Sequence, residues 1–272
     1  YSAKARMAAA AAAGFQGVEL VDDLPGTPDF EDALEAMGTH RFSIKGMYWN
    51  LRGVTDPYAD GIEKELEELH QVAEGCRQQQ FNYLTVCLFG YDELLGDSIA
   101  ASGSARAEAR HWERATRLTR AVDEVAGSYG LQTNLYGHAR CVTDTPQAVE
   151  RVMQAAQTRH LKAALSLHHW FAHKGALGLD EVLELPHYRD LQYVILGNQM
   201  DVGDGWPKKA PLDGGDMDVA WVLAKVIASG YRGPVTGYGG VGDPYAAAVD
   251  FVTTVRGLLQ RWRTQPELWP LL

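Results

Sequence analysis

Two textures alternate along the chain. Short, largely apolar runs rich in β-branched and aromatic side chains occupy positions 17–21, 42–49, 83–89, 131–136, 163–167, 192–196 and 233–236, and each reads as a strand. Between them apolar residues return every three or four positions, the spacing of a helix face. These stretches are 2–13, 29–37, 58–79, 104–129, a helix opening at Thr145-Pro146, 178–184, 217–229 and 244–262. In 58–79 the stripe is Ile62, Leu66, Leu69, Val72 and Ala73. Gly14 supplies a helix stop, and Pro146 takes the favoured first helical position. Segments 22–28 and 201–216, dense in Gly, Pro and Asp, are expected to be loops.

Helix and strand thus alternate about seven times, which means parallel strands joined by crossover helices. The strands lack clean period-two alternation, as expected when both faces are buried. A doubly wound sheet would normally carry a glycine-rich phosphate turn after an early strand. The glycine cluster here, Gly239-Gly240-Val241-Gly242, follows the last strand instead. The expected fold is a TIM-type (β/α)8 barrel, formed by residues 1–272 as one domain.

Composition narrows the class of partner. With 46% hydrophobic and 22% charged residues the chain is ordinary globular protein. A net charge of −10 repels phosphate backbones, so nucleic acid is not an expected partner. No apolar run approaches the roughly 18 residues of a membrane span. Three cysteines (Cys76, Cys87 and Cys141) show no CxxC pair, and their odd number speaks against a disulfide framework. These thiols, with no visible signal peptide, fit a cytoplasmic location, and a homo-oligomer is compatible with them.

Three ordered stretches resemble the xylose-isomerase-like family of sugar isomerases, epimerases and related lyases. The first is Gly14-Phe15-Gln16-Gly17-Val18-Glu19-Leu20, and the second is Leu135-Tyr136-Gly137-His138 followed by Thr145-Pro146. The third runs from Ser166-Leu167-His168-His169-Trp170 through Pro211 to Asp218 and on to Gly230-Tyr231-Arg232-Gly233-Pro234-Val235. The resemblance implies a barrel with its site at the strand C-termini and a small sugar or sugar derivative as partner. It also implies an opening strand before the first helix. This chain begins at that helix, so either the strand is missing from it or the barrel closes differently.

The resemblance further implies a divalent metal (Mn²⁺, Mg²⁺ or Co²⁺) held by two Glu, one Asp and one His, which polarises the sugar carbonyl. Here Tyr136 stands at the first Glu position, Ser166 at the Asp and Ile195 at the His. The last Glu falls at Thr236, Gly237 or Tyr238. Phenol, hydroxyl and alkyl groups do not replace that carboxylate charge, so no metal cofactor is expected.

Other residues take the strand ends. His138 and His169 are candidate proton carriers, since an imidazole titrates near neutrality; the alternative is a pair of hydrogen-bonded histidines that shape a pocket. His168 should point away from His169 if its strand continues. His169 and His173 have a helix-clamp spacing but are expected in a loop. Glu19 is expected to face the barrel mouth, or else to cap a helix. Lys45, inside an apolar strand, is expected either to face a ligand or to snorkel. Tyr48, Trp49 and Trp206 are candidates for packing on a sugar ring, with Trp206 and Lys208 in a lid. Asn198, Gln199 and Asp201 suit hydrogen bonds to sugar hydroxyls, alongside Tyr136, Ser166 and Tyr238. The expected activity is proton abstraction beside the carbonyl of a sugar or keto-sugar. The alternative is a non-catalytic carbohydrate-binding protein or partner subunit.

Overall fold

A computed structural model describes residues 3–40, 43–90, 92–173, 177–201, 206–237 and 243–265. In chain order the elements are α1 (Ala3–Ala13), β1 (Gly17–Val21), α2 (Pro28–His40), β2 (Ser43–Leu51), α3 (Asp56–Ala59), α4 (Ile62–Gln78), β3 (Tyr83–Leu88), α5 (Ala109–Tyr129), β4 (Gln132–Tyr136) and α6 (Pro146–Ala156). They continue with β5 (Lys162–Ser166), α7 (Leu167–Ala172), α8 (Leu179–Leu183), β6 (Tyr193–Leu196), β7 (Asn198–Met200), β8 (Lys208–Ala210), α9 (Val219–Ala228), β9 (Val235–Gly237) and α10 (Pro244–Thr264).

Seven strands form one parallel sheet in the order β1-β2-β3-β4-β5-β6-β9. The fold is the expected α/β barrel type, with seven strands in the described residues where eight were expected. The sheet curls far enough that the Tyr193 hydroxyl on β6 donates to Glu19 Oε2 on β1 at 2.7 Å. Where an eighth strand would close the barrel, between β9 and β1, the flanking helices meet. Phe15 stacks on Phe251 at 5.6 Å, and the Arg256 guanidinium donates to the Gly14 carbonyl.

Alternate residues of each strand enter two separate cores. Met47, Trp49, Leu51, Val86, Leu135, Leu165 and Val194 pack outward against the helices. Tyr83, Cys87, Tyr136, Ala164, Tyr193 and Ile195 form the smaller inner core. Gly46 faces inward, where a Cβ would lie 2.3 Å from the Tyr83 ring; its bare backbone makes room for that ring against Tyr193.

Two expected elements are otherwise. Segment 201–216 was expected to be a loop, but its described part carries β8, which pairs antiparallel with β7 as a hairpin beyond the strand ends. The strand was expected to run to Leu167, with His169 to His173 in a loop; instead the chain turns into α7 directly after Ser166. Ser166, a common helix N-cap residue type, stands at the N-cap position, although its hydroxyl makes no capping bond. No helix among the described residues is long and apolar enough to cross a membrane.

Candidate active site

The strand ends bring five aromatic or imidazole rings together. Tyr136 closes β4 and Ser166 closes β5, and their hydroxyls lie 3.3 Å apart. Ser166 Oγ is also 3.3 Å from His168 Nδ1. Because α7 begins at once, His168 and His169 sit as ring neighbours with centroids 4.1 Å apart, rather than on opposite faces. His138, just past β4, brings its ring to 4.1 Å from His169. The Tyr136 ring lies 5.8 Å from both His138 and His169, and Tyr48 meets Tyr136 edge-on at 5.3 Å.

Burial sets the charge state of this cluster. It pushes His138 down to about 4, against the Ala139 carbonyl and with repulsion from Arg140 and Lys209, and His168 down to about 3, with repulsion from His138 and Lys209. His169 is pushed well below its ordinary value for the same reasons, and burial alone pushes His173 down to about 4. All four imidazoles are therefore neutral at neutral pH. His138 Nδ1 lies 2.7 Å from the Ala139 carbonyl oxygen, which can only accept, so Nδ1 carries the proton and Nε2 the lone pair. His169 Nε2 is buried without a hydrogen-bond partner.

The remaining expected residues separate into distinct places. Glu19 does not face the mouth; it points into the barrel interior beside Tyr193 and Thr85, and burial pushes it up to about 7. Its depth follows from register, since Glu19 pairs with Gly46, and Gly46 with Tyr83 at the start of β3. Lys45 lies near the opposite, N-terminal end of β2, its side chain crossing Gly17, so it is far down the barrel from the histidines. Trp49 is in the outer core, because it alternates with inward-facing Tyr48.

Asn198, expected to bind sugar hydroxyls, is instead taken up by backbone. Its Nδ2 donates to the carbonyls of Leu212 at 2.9 Å and Met217 at 3.1 Å, and its Oδ1 accepts from the amides of Gln199 and Met217. It staples the segment that carries the hairpin. Gln199 is buried on β7 opposite Lys209, and the Asp201 amide donates to Asp216 Oδ2 at 2.6 Å. Trp206 lies under the Arg140 guanidinium at 4.0 Å, so the hairpin side of the mouth touches the loop that carries His138. Lys208 opens β8 and is exposed. Tyr238 and Gly239 to Gly242 lie outside the described residues.

Sequence reasoning missed Asp144. Its carboxyl is buried and pushed up to about 6, lies 3.8 Å from His173 Nε2, and accepts from the Ser104 amide at 3.2 Å. A polar residue just before Thr145-Pro146 in the loop after β4 was the signal available. Cys87 and Cys141 lie beneath the mouth with sulfurs 3.9 Å apart, and all three cysteines are free.

At the positions where the resemblance implies metal ligands, the donors present do not suit a hard divalent cation. Tyr136 and Ser166 contact each other, Ile195 is hydrocarbon in the inner core, and Thr236 Oγ1 donates to the Val194 carbonyl. No three His, Cys, Asp or Glu side chains among the described residues are grouped so as to hold a metal ion.

Three solved structures show how widely this fold is shared. The apo 3-keto-D-glucoside 4-epimerase from E. coli is 16% identical with 90% of each chain covered and a TM-score of 0.69. The D-allulose 3-epimerase from Methylomonas sp., in complex with D-allulose, is 15% identical over 94% of this chain and 90% of its own, with a TM-score of 0.70. A xylose isomerase-like TIM barrel protein from Mycobacterium smegmatis, in complex with magnesium, is 13% identical over 94% of this chain and 87% of its own, with a TM-score of 0.69. No curated protein sequence matches this chain. Residues 7–238 match the model of the xylose isomerase-like TIM barrel, and the chain belongs to that family.

Proposed function

We propose that this chain is a sugar isomerase- or epimerase-like enzyme that removes a proton beside the carbonyl of a keto-sugar, without the family's metal. The observation that carries this reading is the His138–His169 pair, two neutral imidazoles 4.1 Å apart against Tyr136 at the strand ends. Barrel enzymes place their chemistry at that face. The epimerase neighbours named above support the substrate class.

One imidazole accepts the proton on carbon, and the electron pair of the broken C–H bond passes to the carbonyl oxygen, giving an enediolate. Returning the proton to the other face of that carbon gives an epimer; returning it to the former carbonyl carbon, while the hydroxyl proton passes from one oxygen to the other, gives an isomer. The burial that makes these imidazoles poor bases in the free chain acts differently once the enediolate forms. The imidazolium then has a negative partner in a water-poor site, which favours the charged pair. The nearby Lys209 contributes positive charge, while the hydroxyls of Tyr136 and Ser166 hydrogen-bond the sugar.

The test is a panel of keto-hexoses incubated with the chain in D₂O and read by NMR. Deuterium appearing at the carbon beside the carbonyl is expected, reduced at least about 100-fold in His138→Asn or His169→Asn. The low basicity of the imidazoles also favours a second reading, a carbohydrate-binding protein. Calorimetric binding without any deuterium exchange selects that reading and overturns the first.

A further inference from the structure

One layer below the histidines the barrel interior is polar, where barrels of this architecture are ordinarily filled by branched aliphatic side chains. Asn134, in the middle of β4, is completely buried, yet neither its amide oxygen nor its amide nitrogen has a hydrogen-bond partner. Thr85, its register partner on β3, is equally buried, and its hydroxyl has no partner of good geometry, only the Glu19 carboxyl beside it. Glu19 reaches the same level from β1; Oε2 accepts from Tyr193, while Oε1 is enclosed with no partner of good geometry. The Thr85 hydroxyl lies beside that carboxyl, close enough to favour its ionised form.

Asn134 is two residues before Tyr136 and Thr85 is two before Cys87, so both share the inward face with the inner core. Three side chains from three strands thus carry buried polar atoms without well-placed partners toward the barrel interior. Such atoms in native interiors are ordinarily satisfied by bound water. The chemistry selects the occupant. An amide and a hydroxyl each both donate and accept, and a carboxylate accepts, so the ligand must both donate and accept.

We propose that this level of the barrel is a water-binding site, in which a small cluster of ordered waters bridges Glu19, Thr85 and Asn134.

Two measurements test this. In high-resolution crystals of the native chain, density peaks are expected within about 3.2 Å of at least two of Glu19 Oε1, Thr85 Oγ1 and the Asn134 amide. Density without such peaks overturns the proposal. The second uses Asn134→Val, which is apolar and much closer to asparagine in volume than leucine. If waters hold the amide, valine strands them together with Glu19 and Thr85, and the melting temperature falls by roughly 3–6 °C. If the amide is dry, valine removes an uncompensated buried polar group and the melting temperature rises, which overturns the proposal. Should the variant fail to fold, the crystallographic result decides alone.

Discussion

Replacing Glu19 with glutamine keeps the side chain's shape and an acceptor for the Tyr193 hydroxyl while deleting the charge. In the folded chain the carboxyl titrates at about 7, raised from 4.5 by burial, against which the hydroxyls of Tyr193 and Thr85 work only partly. Between those values the folded chain holds a proton that the unfolded chain has lost, so stability falls as pH rises through the window. The full difference is worth about 3 kcal/mol above pH 7. The stem of Glu19 is part-exposed on the edge strand β1, so solvent screening brings this nearer about 2 kcal/mol. Urea unfolding of both chains from about pH 4.5 to about pH 8 measures it, because ΔG at each pH follows from the midpoint and slope. The depressed histidines also make stability pH-dependent, with the opposite sign. They are common to both chains and cancel in the difference. The Glu19→Gln variant is expected to gain on the native chain progressively across the window, reaching about 2 kcal/mol. A difference that stays flat with pH refutes the claim that Glu19 is enclosed and titrates near neutrality.

The chain should lose stability as pH falls from 6.5 towards 4, because the protons that His138, His168 and His173 refuse in the fold outweigh those that the raised Glu19 and Asp144 carboxyls retain; a midpoint urea concentration that does not drop there contradicts the histidines' burial. Asn198→Ala removes four backbone contacts and should cost roughly 2–4 kcal/mol by urea unfolding, whereas a cost below about 0.5 kcal/mol would place the amide outside any structural role. Gly46→Ala sets a methyl 2.3 Å from the Tyr83 ring and 2.5 Å from its carbonyl oxygen, and should destabilise by about 1–3 kcal/mol in the same assay; a neutral result argues against this packing of Tyr83.

The barrel was legible because its signal is periodic and repeated, and a few misplaced boundaries do not alter the alternation of helix and strand. Positions along strands were legible too: Tyr136, His138, Ser166 and His169 do meet at the strand ends. What the pattern does not carry is which face of a doubly buried strand points inward. Tyr48 and Trp49 are neighbours of similar character, and only the three-dimensional pleat assigns Tyr48 to the interior and Trp49 to the helices. Depth was equally hidden. Glu19 and Lys45 lie on strands as expected, but the stagger between strands sets their height, and it leaves both well below the mouth. The β7–β8 hairpin escaped because strands of three residues between Gly- and Asp-rich segments carry too little periodicity to register.

Ionisable groups near neutrality lie in the barrel at places other than those where the resemblance implies metal-binding carboxylates. The imidazoles at the mouth are neutral throughout the range around pH 7, while the two enclosed carboxyls, Glu19 at about 7 and Asp144 at about 6, bracket it from below and beside the histidines. Any inflection near pH 6 in ligand binding or turnover therefore reports Asp144 rather than His173, although the two face each other at 3.8 Å. The groups around Asp144 leave little else to titrate there: the Ser104 amide and the Cys141 thiol, which burial pushes up, do not change charge in that range. Asp144→Asn should erase the inflection, and His173→Gln should leave it in place. The reverse pattern, with the inflection surviving in Asp144→Asn and vanishing in His173→Gln, would return the acid–base role at this edge of the pocket to the imidazole.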